Sequence, residues 1–486
     1  MHKIKWNIVW GICVTIAFFV LLSIRLGYYQ KRLEPVTIIP VAKSQQPQDT
    51  WMNIYQNNKK IGVVHRTFSA LEKGFHFNET VFMQINTMGL TQPLNILTDG
   101  YLSKDMTLSS FYFDINSGVF RFNIKGQVVK NKLVLFIGSP GEQKRSEIPL
   151  KAVPHISENI YESAFHAGLA KNISRRFSIF DPSTMSMNII NITRNADEVI
   201  PIMGKRILTR KYCADFMGVK QCAWLTDEGD EVKETGFLGI SMEKVSPQKA
   251  HEEIADNGGV DFTQVTSIPS NVKINEAEKL HKIKIRIDNF GKNLLLNGER
   301  QNLNNNILTI TKEDLSSLTI KNGFPEDIAA FLKPSPLIQS DNSQIKMQVG
   351  RIVKPTDSAE QKARKIVNWV YRNVEKKPTL SVPNALEVLK NKIGACKEHS
   401  VLTVALLRAA GIPAQVESGL VYLRGRFYYH AWCILYIGKW VTADAVFNQF
   451  PADVTHIRLV RGESDEQLNL ISVIGKIKLE ILGQIK

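Results

Sequence analysis

Residues 51–248 form a succession of short segments rich in β-branched and aromatic residues, separated by turn signals. Phe111–Ile115 and Val119–Ile124 flank Asn116–Gly118, and Asn57-Asn58 separates two further segments of this kind. Apolar runs of this length between such turns predict antiparallel strands joined by hairpins. We therefore expect a large antiparallel β domain, which could curl into an open barrel.

A different pattern follows Cys396. Strong helix formers come after it, with apolar residues at three- and four-residue steps from Leu402 to Ala409, and Gly411 and Pro413 are stop signals. Cys396 is therefore predicted at the N-terminus of a helix. There, unpaired backbone N–H groups and the helix dipole favour a thiolate, and they can hold the oxyanion that forms when a carbonyl is attacked.

Phe427–Tyr436 and Trp440–Asp444 predict a β-hairpin that carries His430 and Asp444. Both segments are rich in aromatic and β-branched residues, and a glycine-containing turn separates them. The two polar residues are equidistant from Ile437, so a symmetric register would place their Cβ atoms within roughly 4.5–5.5 Å. A carboxylate there could orient the imidazole while the other ring nitrogen faces a thiol. The pattern predicts a nucleophile, a base and an orienting group.

These residues resemble the transglutaminase-like superfamily. Gly394–His399 matches its G-x-C-x-E-H pattern, Leu407–Ala414 matches L-R-x-x-G-I-P-A, and His430–Trp432 matches H-A-W. Residues 443–453 are similar to the tail of bacterial members. The sequence departs from residues that are common in the family at Ala395, Lys397 and Ala445.

The resemblance covers residues 356–460 and implies a papain-like or transglutaminase-like α+β catalytic domain at residues 356–486. It implies that Cys396 attacks an amide carbonyl, His430 transfers protons and Asp444 orients His430. Hydrolysis of peptide or side-chain amides is favoured over amine transfer, because amine transfer needs a site that excludes water and binds a second substrate. No cofactor is expected, and no loop suggests calcium binding.

Other residues near these three allow competing interpretations. His399 lies three residues after Cys396 on the same helix face, so it could act as the base or form a zinc site with Cys396 and His430. Cys433 alternates onto the strand face opposite to that of His430, which indicates a core position. His456 has no obvious partner in the sequence and is interpreted as structural.

An apolar segment at the start of the chain predicts a membrane anchor. About 19 uncharged residues run from Trp6 to Ile24, close to the roughly 20 needed to cross a bilayer. Leu26–Gln30 offers no small-x-small cleavage site, so we expect a retained signal-anchor helix within residues 1–29, followed by a linker over residues 30–50. Flanking charges do not choose the orientation. The resemblance implies a single-pass inner-membrane protein with a periplasmic catalytic body.

Cys213 and Cys222 lie symmetrically about Met217-Gly218. A two-residue hairpin would place them opposite each other, close enough for a disulfide in an oxidising compartment. Two buried thiols on one sheet face fit the pattern equally well.

The formal net charge of +15 indicates attraction to anionic surfaces such as membrane headgroups or cell-envelope polymers. Nucleic-acid binding is not predicted, because the sequence contains no recognition helix, zinc-finger spacing or aromatic RNA-binding signature.

The sequence as a whole predicts an α+β protein with a transmembrane helix, the antiparallel β domain, a mixed β-rich connector at residues 249–355 and the catalytic domain. The expected substrate is a protein or peptide of the cell envelope, and the β domain could bind an envelope partner. The alternative function is a non-catalytic envelope scaffold or peptide-binding protein that keeps the transglutaminase-like fold.

Overall fold

The computed structural model describes residues 48–138, 143–216, 219–254, 259–291, 293–316, 324–380, 382, 384–463 and 469–486. These residues fall into two compact units, which meet in the chain between Asp261 and Phe262. We call them the N-terminal unit and the C-terminal unit. The domain boundaries predicted after residues 248 and 355 stay predictions.

One large sheet dominates the N-terminal unit. Strands β1 to β8 pair in sequence order, and β16 pairs with the free side of β1, so that the sheet continues through β15, β14, β13, β11, β10 and β9. Neighbours are antiparallel except β9 and β10. The strands are β1 (Gln48–Gln56), β2 (Lys59–Leu71), β3 (Gly74–Thr87), β4 (Leu90–Leu102), β5 (Leu108–Asn116), β6 (Arg121–Val129), β7 (Lys132–Ile137), β8 (Lys144–Pro149), β9 (His155–Ile156), β10 (Ser174–Asp181), β11 (Ser186–Arg194), β12 (Glu198–Ile202), β13 (Lys205–Phe216), β14 (Val219–Leu225), β15 (Glu231–Thr235) and β16 (Ile240–Val245); two short helices are α1 (Ile160–His166) and α2 (Pro247–Ala250).

Turn residues explain why this part of the chain folds back on itself. Asn57 and Asn58, between β1 and β2, have φ values of 48° and 65°. Asparagine tolerates this left-handed region, and two such residues give a turn whose twist matches that of the strands. Along β3, buried positions alternate with more exposed ones. The sheet therefore buries one side-chain face, as its sequence alternation predicts.

Cys213 and Cys222 are bonded as a disulfide. They lie opposite each other where β13 pairs with β14, in the hairpin predicted from the sequence. The disulfide packs in a small apolar cluster with Ile202, Trp224 and Val232. The structure thus decides between the two alternatives that the spacing left open.

The C-terminal unit combines a five-stranded sheet with helices. In the sheet, β24 pairs with β17, β23 and β25, and β26 pairs with β23; β19, β20, β18 and β27 form a second sheet. Helix α8 is buried from Cys396 through Arg408 and lies against β23 and β24. The elements are α3 (Phe262–Thr266), β17 (Ile268–Pro269), β18 (Lys282–Asp288), β19 (Gln301–Asn304), β20 (Ile307–Thr311), α4 (Glu326–Ala329), α5 (Ser343–Ile352), α6 (Ala359–Asn373), β21 (Glu375–Lys376), α7 (Ala385–Asn391), β22 (Ile393–Gly394), α8 (Cys396–Ala409), β23 (Ala414–Leu423), β24 (Arg426–Tyr436), β25 (Trp440–Ala443), β26 (Ile457–Arg461) and β27 (Lys478–Ile485).

The predicted α+β class is wrong. Strands make up 47% and helices 19% of the described residues, so the protein is mostly β. The prediction gave the helix pattern of residues 356–486 too much weight, because the strands of the N-terminal unit join one continuous sheet.

The predicted transmembrane helix and the single-pass inner-membrane localisation also need correction. Across the described ranges, no helix is both long and apolar enough to cross a membrane. The longest described helix, α6, has 15 residues, whereas a span needs roughly 20. Residues 1–29, to which the anchor was assigned, lie outside the described residues, as does most of the predicted linker.

Candidate active site

Cys396 is the first residue of helix α8, as the helix signals predicted. The helix start is closed by Glu398, whose Oε2 accepts a hydrogen bond from the Ala395 backbone N–H at 2.9 Å. Gly394 allows the approach of this side chain, because a Cβ there would lie 2.3 Å from the Cβ of Glu398. The backbone N–H groups of the first helical turn have no partner within the helix. They are therefore suited to hold negative charge beside the thiol.

His430 and Asp444 are hydrogen-bonded, although the register of their hairpin differs from the symmetric one. Val441 faces Leu435, whereas symmetry about the turn would place it opposite Cys433. Asp444 follows the end of β25, where its backbone pairs with that of Gln449. Its Oδ2 atom lies 2.7 Å from Nε2 of His430, and both side chains are fully buried. The two residues meet at a chain reversal and not across a strand pair.

Four N–H groups surround the carboxylate of Asp444. Oδ1 accepts from the backbone of Val446 at 2.7 Å and from that of Phe447 at 3.3 Å. Oδ2 is shared by His430 and by His456, whose Nε2 lies 2.9 Å away. Burial alone would raise the pKa of Asp444, but the charge of and hydrogen bond to His430, together with His456, hold it well below its usual range. Asp444 is therefore an ionised acceptor.

The two ring nitrogens of His430 have different surroundings. Burial opposes its protonation, but the charge and hydrogen bond of Asp444, with a smaller contribution from Cys396, raise the pKa of His430 to about 10. Asp444 occupies Nε2, and Nδ1 has no partner of hydrogen-bonding geometry among the described residues. Nδ1 is thus the nitrogen left for the thiol. Contacts of this kind often tighten only when substrate binds.

His399 takes neither role that its spacing suggested. Its Nδ1 lies 2.7 Å from the Ala395 carbonyl oxygen and its Nε2 lies 3.3 Å from that of Val374. Burial lowers the pKa of His399 to about 4. Both ring nitrogens face backbone carbonyls, so His399 is neither the base nor a zinc ligand with the thiol. Cys433 is a buried thiol that donates to the Ala443 carbonyl at 3.3 Å, which agrees with the predicted core position.

His456 is the site residue that the sequence interpretation missed. It is fully buried, and its Nε2 contacts Asp444 at 2.9 Å while its Nδ1 lies 3.2 Å from Oδ1 of Asp453. The view that His456 lacks a partner is therefore wrong. The D-x-x-H spacing of Asp453 and His456 was the only local signal, and it does not indicate the contact with Asp444.

Atoms of His430, Asp444 and His456 lie within 4.8 Å of one another, a spacing that a metal ion could use. Both imidazoles, however, meet the same carboxylate oxygen at 2.7 and 2.9 Å. These are N–H···O distances, whereas two ligand atoms each about 2.0–2.2 Å from a tetrahedral zinc would lie roughly 3.4 Å apart. We interpret the group as a hydrogen-bonded network.

Comparison with known proteins identifies the domain that contains Cys396, His430 and Asp444. Residues 346–445 match the Transglutaminase-like superfamily, so the chain contains a transglutaminase-like domain in its C-terminal unit. The resemblance seen in the motifs is thereby confirmed. No curated protein matches the chain.

Three solved structures are similar to parts of the chain. A provisionally assigned cysteine protease from Cytophaga hutchinsonii is 19% identical over 42% of this chain and 86% of its own, with a TM-score of 0.30. A β-barrel-like protein of unknown function from Brucella abortus is 13% identical over 42% of this chain and 96% of its own, with a TM-score of 0.33. A provisionally assigned protease from Parabacteroides distasonis is 12% identical over 48% of this chain and 63% of its own, with a TM-score of 0.19.

Proposed function

We propose that the C-terminal unit is a cysteine enzyme that acts on peptide or side-chain amide bonds through a thioester on Cys396. The observation that carries the proposal is the 2.7 Å bond between His430 Nε2 and Asp444 Oδ2, which leaves Nδ1 for the thiol. Cys396 opens a buried helix beside this pair. The transglutaminase-like domain at residues 346–445 supports the same chemistry.

In the first half of the reaction, the proton of the thiol resides on His430 Nδ1 and the thiolate attacks the amide carbonyl carbon. A C–S bond forms, and the carbonyl electron pair moves onto oxygen, which the backbone N–H groups of the first turn of α8 stabilise. The intermediate collapses to a thioester as the C–N bond breaks. The departing nitrogen takes the proton from His430.

In the second half, His430 Nδ1 accepts a proton from the attacking nucleophile. With water, the C–S bond breaks and a carboxylic acid is released, whereas a primary amine gives a new amide. Hydrolysis is favoured, because amine transfer requires a site for a second substrate and exclusion of water. Asp444 remains ionised throughout and keeps the proton of the imidazole ring on Nε2.

Alkylation with iodoacetamide tests whether Cys396 is activated. The rate of modification of Cys396 is measured from pH 4 to pH 10 by mass spectrometry of its peptide, with Cys433→Ala to remove the other free thiol among the described residues. We expect the rate to reach half of its plateau well below the value near 8.5 that is typical of a free thiol. A half-plateau at or above that value would contradict the enzymatic proposal and favour a scaffold.

A second assay separates the two outcomes of the reaction. A casein digest is incubated with the protein, with and without a fluorescent primary amine, and peptides are identified by mass spectrometry. Hydrolysis gives new carboxyl groups in both samples, and transfer gives peptides that carry the amine. Cys396→Ala is the matched control and should abolish either product.

A further inference from the structure

The carboxylate of Asp444 lies between two imidazole rings. His430 and His456 both direct Nε2 at the same oxygen, at 2.7 and 2.9 Å, and their ring centroids are 5.8 Å apart. All three side chains are fully buried. A base needs only one orienting carboxylate, so the second imidazole requires its own explanation.

A second carboxylate holds His456 from its other side. Oδ1 of Asp453 lies 3.2 Å from Nδ1 of His456. Asp453 is itself held in place, because its Oδ1 accepts from the backbone N–H and the hydroxyl of Thr455 at 2.8 and 2.6 Å. Its Oδ2 accepts from the Gln449 amide at 2.8 Å. The result is a continuous row, Asp453, His456, Asp444 and His430, in which each side chain contacts the next.

Both ring nitrogens of His456 face carboxylate oxygens, so both must donate. Burial opposes the charged form, but the charge of Asp453 and the hydrogen bonds to Asp444 and Asp453 raise the pKa of His456. The pKa of Asp453 is held well below its usual range. Burial alone would raise this pKa, and the charge of His456 is the largest influence that lowers it. The geometry and these directions agree on a doubly protonated ring.

The other charged groups around His456 have hydrogen-bonding partners of their own. Arg300 bonds Glu313 at 2.9 Å, and Glu417 accepts from the indole of Trp432 at 2.8 Å. The ring of Trp432 meets His456 edge-on at 5.1 Å. Charged side chains that surround the same small space as His456 are Glu299, Arg300, Glu417 and Arg458. Asp444 and Asp453 are therefore the carboxylates that bond His456.

We infer that His456 is a positioning residue of the proposed active site, a buried imidazolium that locks Asp444 toward His430 and adds positive charge behind the Cys396–His430 pair. The inference rests on the proposed function. His456 contacts neither the thiol nor the substrate. It acts through Asp444, by giving Oδ2 a second donor and by offsetting part of its charge.

Loss of this cation has a defined consequence for thiol reactivity. A positive charge roughly 10 Å from a thiolate, at an effective dielectric constant of about 20, changes the ionisation equilibrium by roughly tenfold. In His456→Gln we therefore expect the acid limb of the Cys396 alkylation profile to move up by about one pH unit. Glutamine keeps a donor for Asp444 but removes the charge, whereas a purely structural residue would leave the pH profile in place.

Asp453→Asn is the second variant. It keeps His456 and the volume of the side chain but removes the carboxylate that faces Nδ1, so the ring of His456 should lose its second proton at a lower pH. His76→Gln is the matched control, because His76 forms a comparable bond with Asp99 at 3.0 Å in the N-terminal unit. It should leave the profile unchanged.

The outcomes separate this inference from the proposed function. A wild-type profile with an ordinary half-plateau defeats the proposed function, whereas an activated wild type with an unshifted His456→Gln profile defeats only the role of His456. If His456→Gln does not fold, the ring-nitrogen chemical shifts of His456 in the wild type and in Asp453→Asn decide. Ring-nitrogen chemical shifts of ¹⁵N-histidine-labelled wild type need no variant: two protonated nitrogens on His456 at pH 7 support the inference, and a neutral ring overturns it.

Discussion

The two units differ in the ratio of buried carboxylates to the buried side chains that donate hydrogen bonds to them. In the N-terminal unit, one guanidinium serves several carboxylates: Arg66 bonds Glu79 at 2.7 Å, Glu162 at 2.7 Å and Glu231 at 3.0 Å, all buried. In the C-terminal unit, one carboxylate, Asp444, serves two imidazoles. In the first cluster three carboxylates share one cation, whereas in the second two imidazoles share one carboxylate oxygen.

This difference sets the direction of the pKa shifts. Burial, reinforced by Glu231 and only partly opposed by Arg66, raises the pKa of Glu162 to about 7. Burial and Glu231 likewise raise the pKa of Glu234 well above its usual range. Asp444 is buried as deeply, yet its pKa is lowered. Desolvation therefore decides the direction of a carboxyl pKa shift only where too few cations and hydrogen-bond donors oppose it. A carboxyl group with a shifted pKa does not by itself mark an active site.

Removal of Arg66 should give the largest effect. Arg66→Met leaves three buried carboxylates without their cation, which typically costs about 3–5 kcal/mol. The free energy of unfolding of the N-terminal unit, followed by urea titration, should fall by that amount. Arg121→Met is the control: Arg121 pairs with Asp114 at 2.8 Å but is 61% exposed, so its loss should cost about 1 kcal/mol or less. Equal losses of unfolding free energy in the two variants would contradict the view that Arg66 balances the charge of buried carboxylates.

The pH dependence of stability should differ between the units. Because the pKa of Glu162 is raised from 4.5 to about 7, its contribution is fully present below about pH 4.5 and is lost as the pH rises through 7, on the order of 3 kcal/mol. Asp444 has a lowered pKa, so its contribution is lost only as the pH falls below its usual range. His430 has a pKa raised from 6.5 to about 10, so its contribution is fully present below about pH 6.5 and is lost as the pH rises through 10.

Hydrogen exchange from pH 4.5 to pH 6.5 should therefore show loss of protection in the N-terminal unit and little change around β24 and α8, because the contributions of Asp444 and His430 are constant in this range. Glu162→Gln should flatten the trend in the N-terminal unit, because the amide mimics the protonated carboxyl group. A trend of the same slope in both units would contradict the comparison.

Asp444→Asn should remove the orienting charge of the second cluster. The amide can donate where only an acceptor fits, which favours the wrong tautomer of His430. At pH 6 an ordinary thiol with a pKa of about 8.5 is ionised to roughly 0.3%, so alkylation of Cys396 should slow about 100-fold. Asp99→Asn, which alters the bond to His76 in the other unit, is the control and should have no effect.

The smallest expected effect is on access to the thiol. Cys396 is 1% exposed and packs with Ala431, Val446 and the half-buried Phe447, whose ring lies 5.3 Å from that of His430. Phe447→Ala should raise the plateau rate of alkylation several-fold, because it uncovers the cluster without removing a hydrogen-bonding side chain.

Phe331→Ala is the control, because that half-buried ring contacts Trp440 instead, at 5.7 Å. A plateau rate that is unchanged in Phe447→Ala would show that this ring does not limit access to the thiol.

The elements that could be predicted from the sequence depend on local signals. Helix α8 begins at Cys396 and is closed by Glu398, within one helical turn. The hairpin of Cys213 and Cys222 was visible because the turn lies between them. The sequence motifs around Cys396 and His430 were sufficient to indicate the transglutaminase-like domain. Each of these signals spans a few residues, over which the backbone alone limits the choices.

Tertiary structure decided what local signals leave open. Strand register is set by which face the core buries and by turn geometry, so the symmetric pairing inferred for His430 and Asp444 was wrong even though their hydrogen bond forms. The class of the fold depended on the joining of the N-terminal strands into one sheet. The contact of His456 with Asp444 crosses 12 residues of chain. The sequence by itself determined a cysteine at a helix start, with a histidine and an aspartate to follow. Only the folded chain, by burying two imidazoles against one carboxylate, decided which ring nitrogen is left for the thiol.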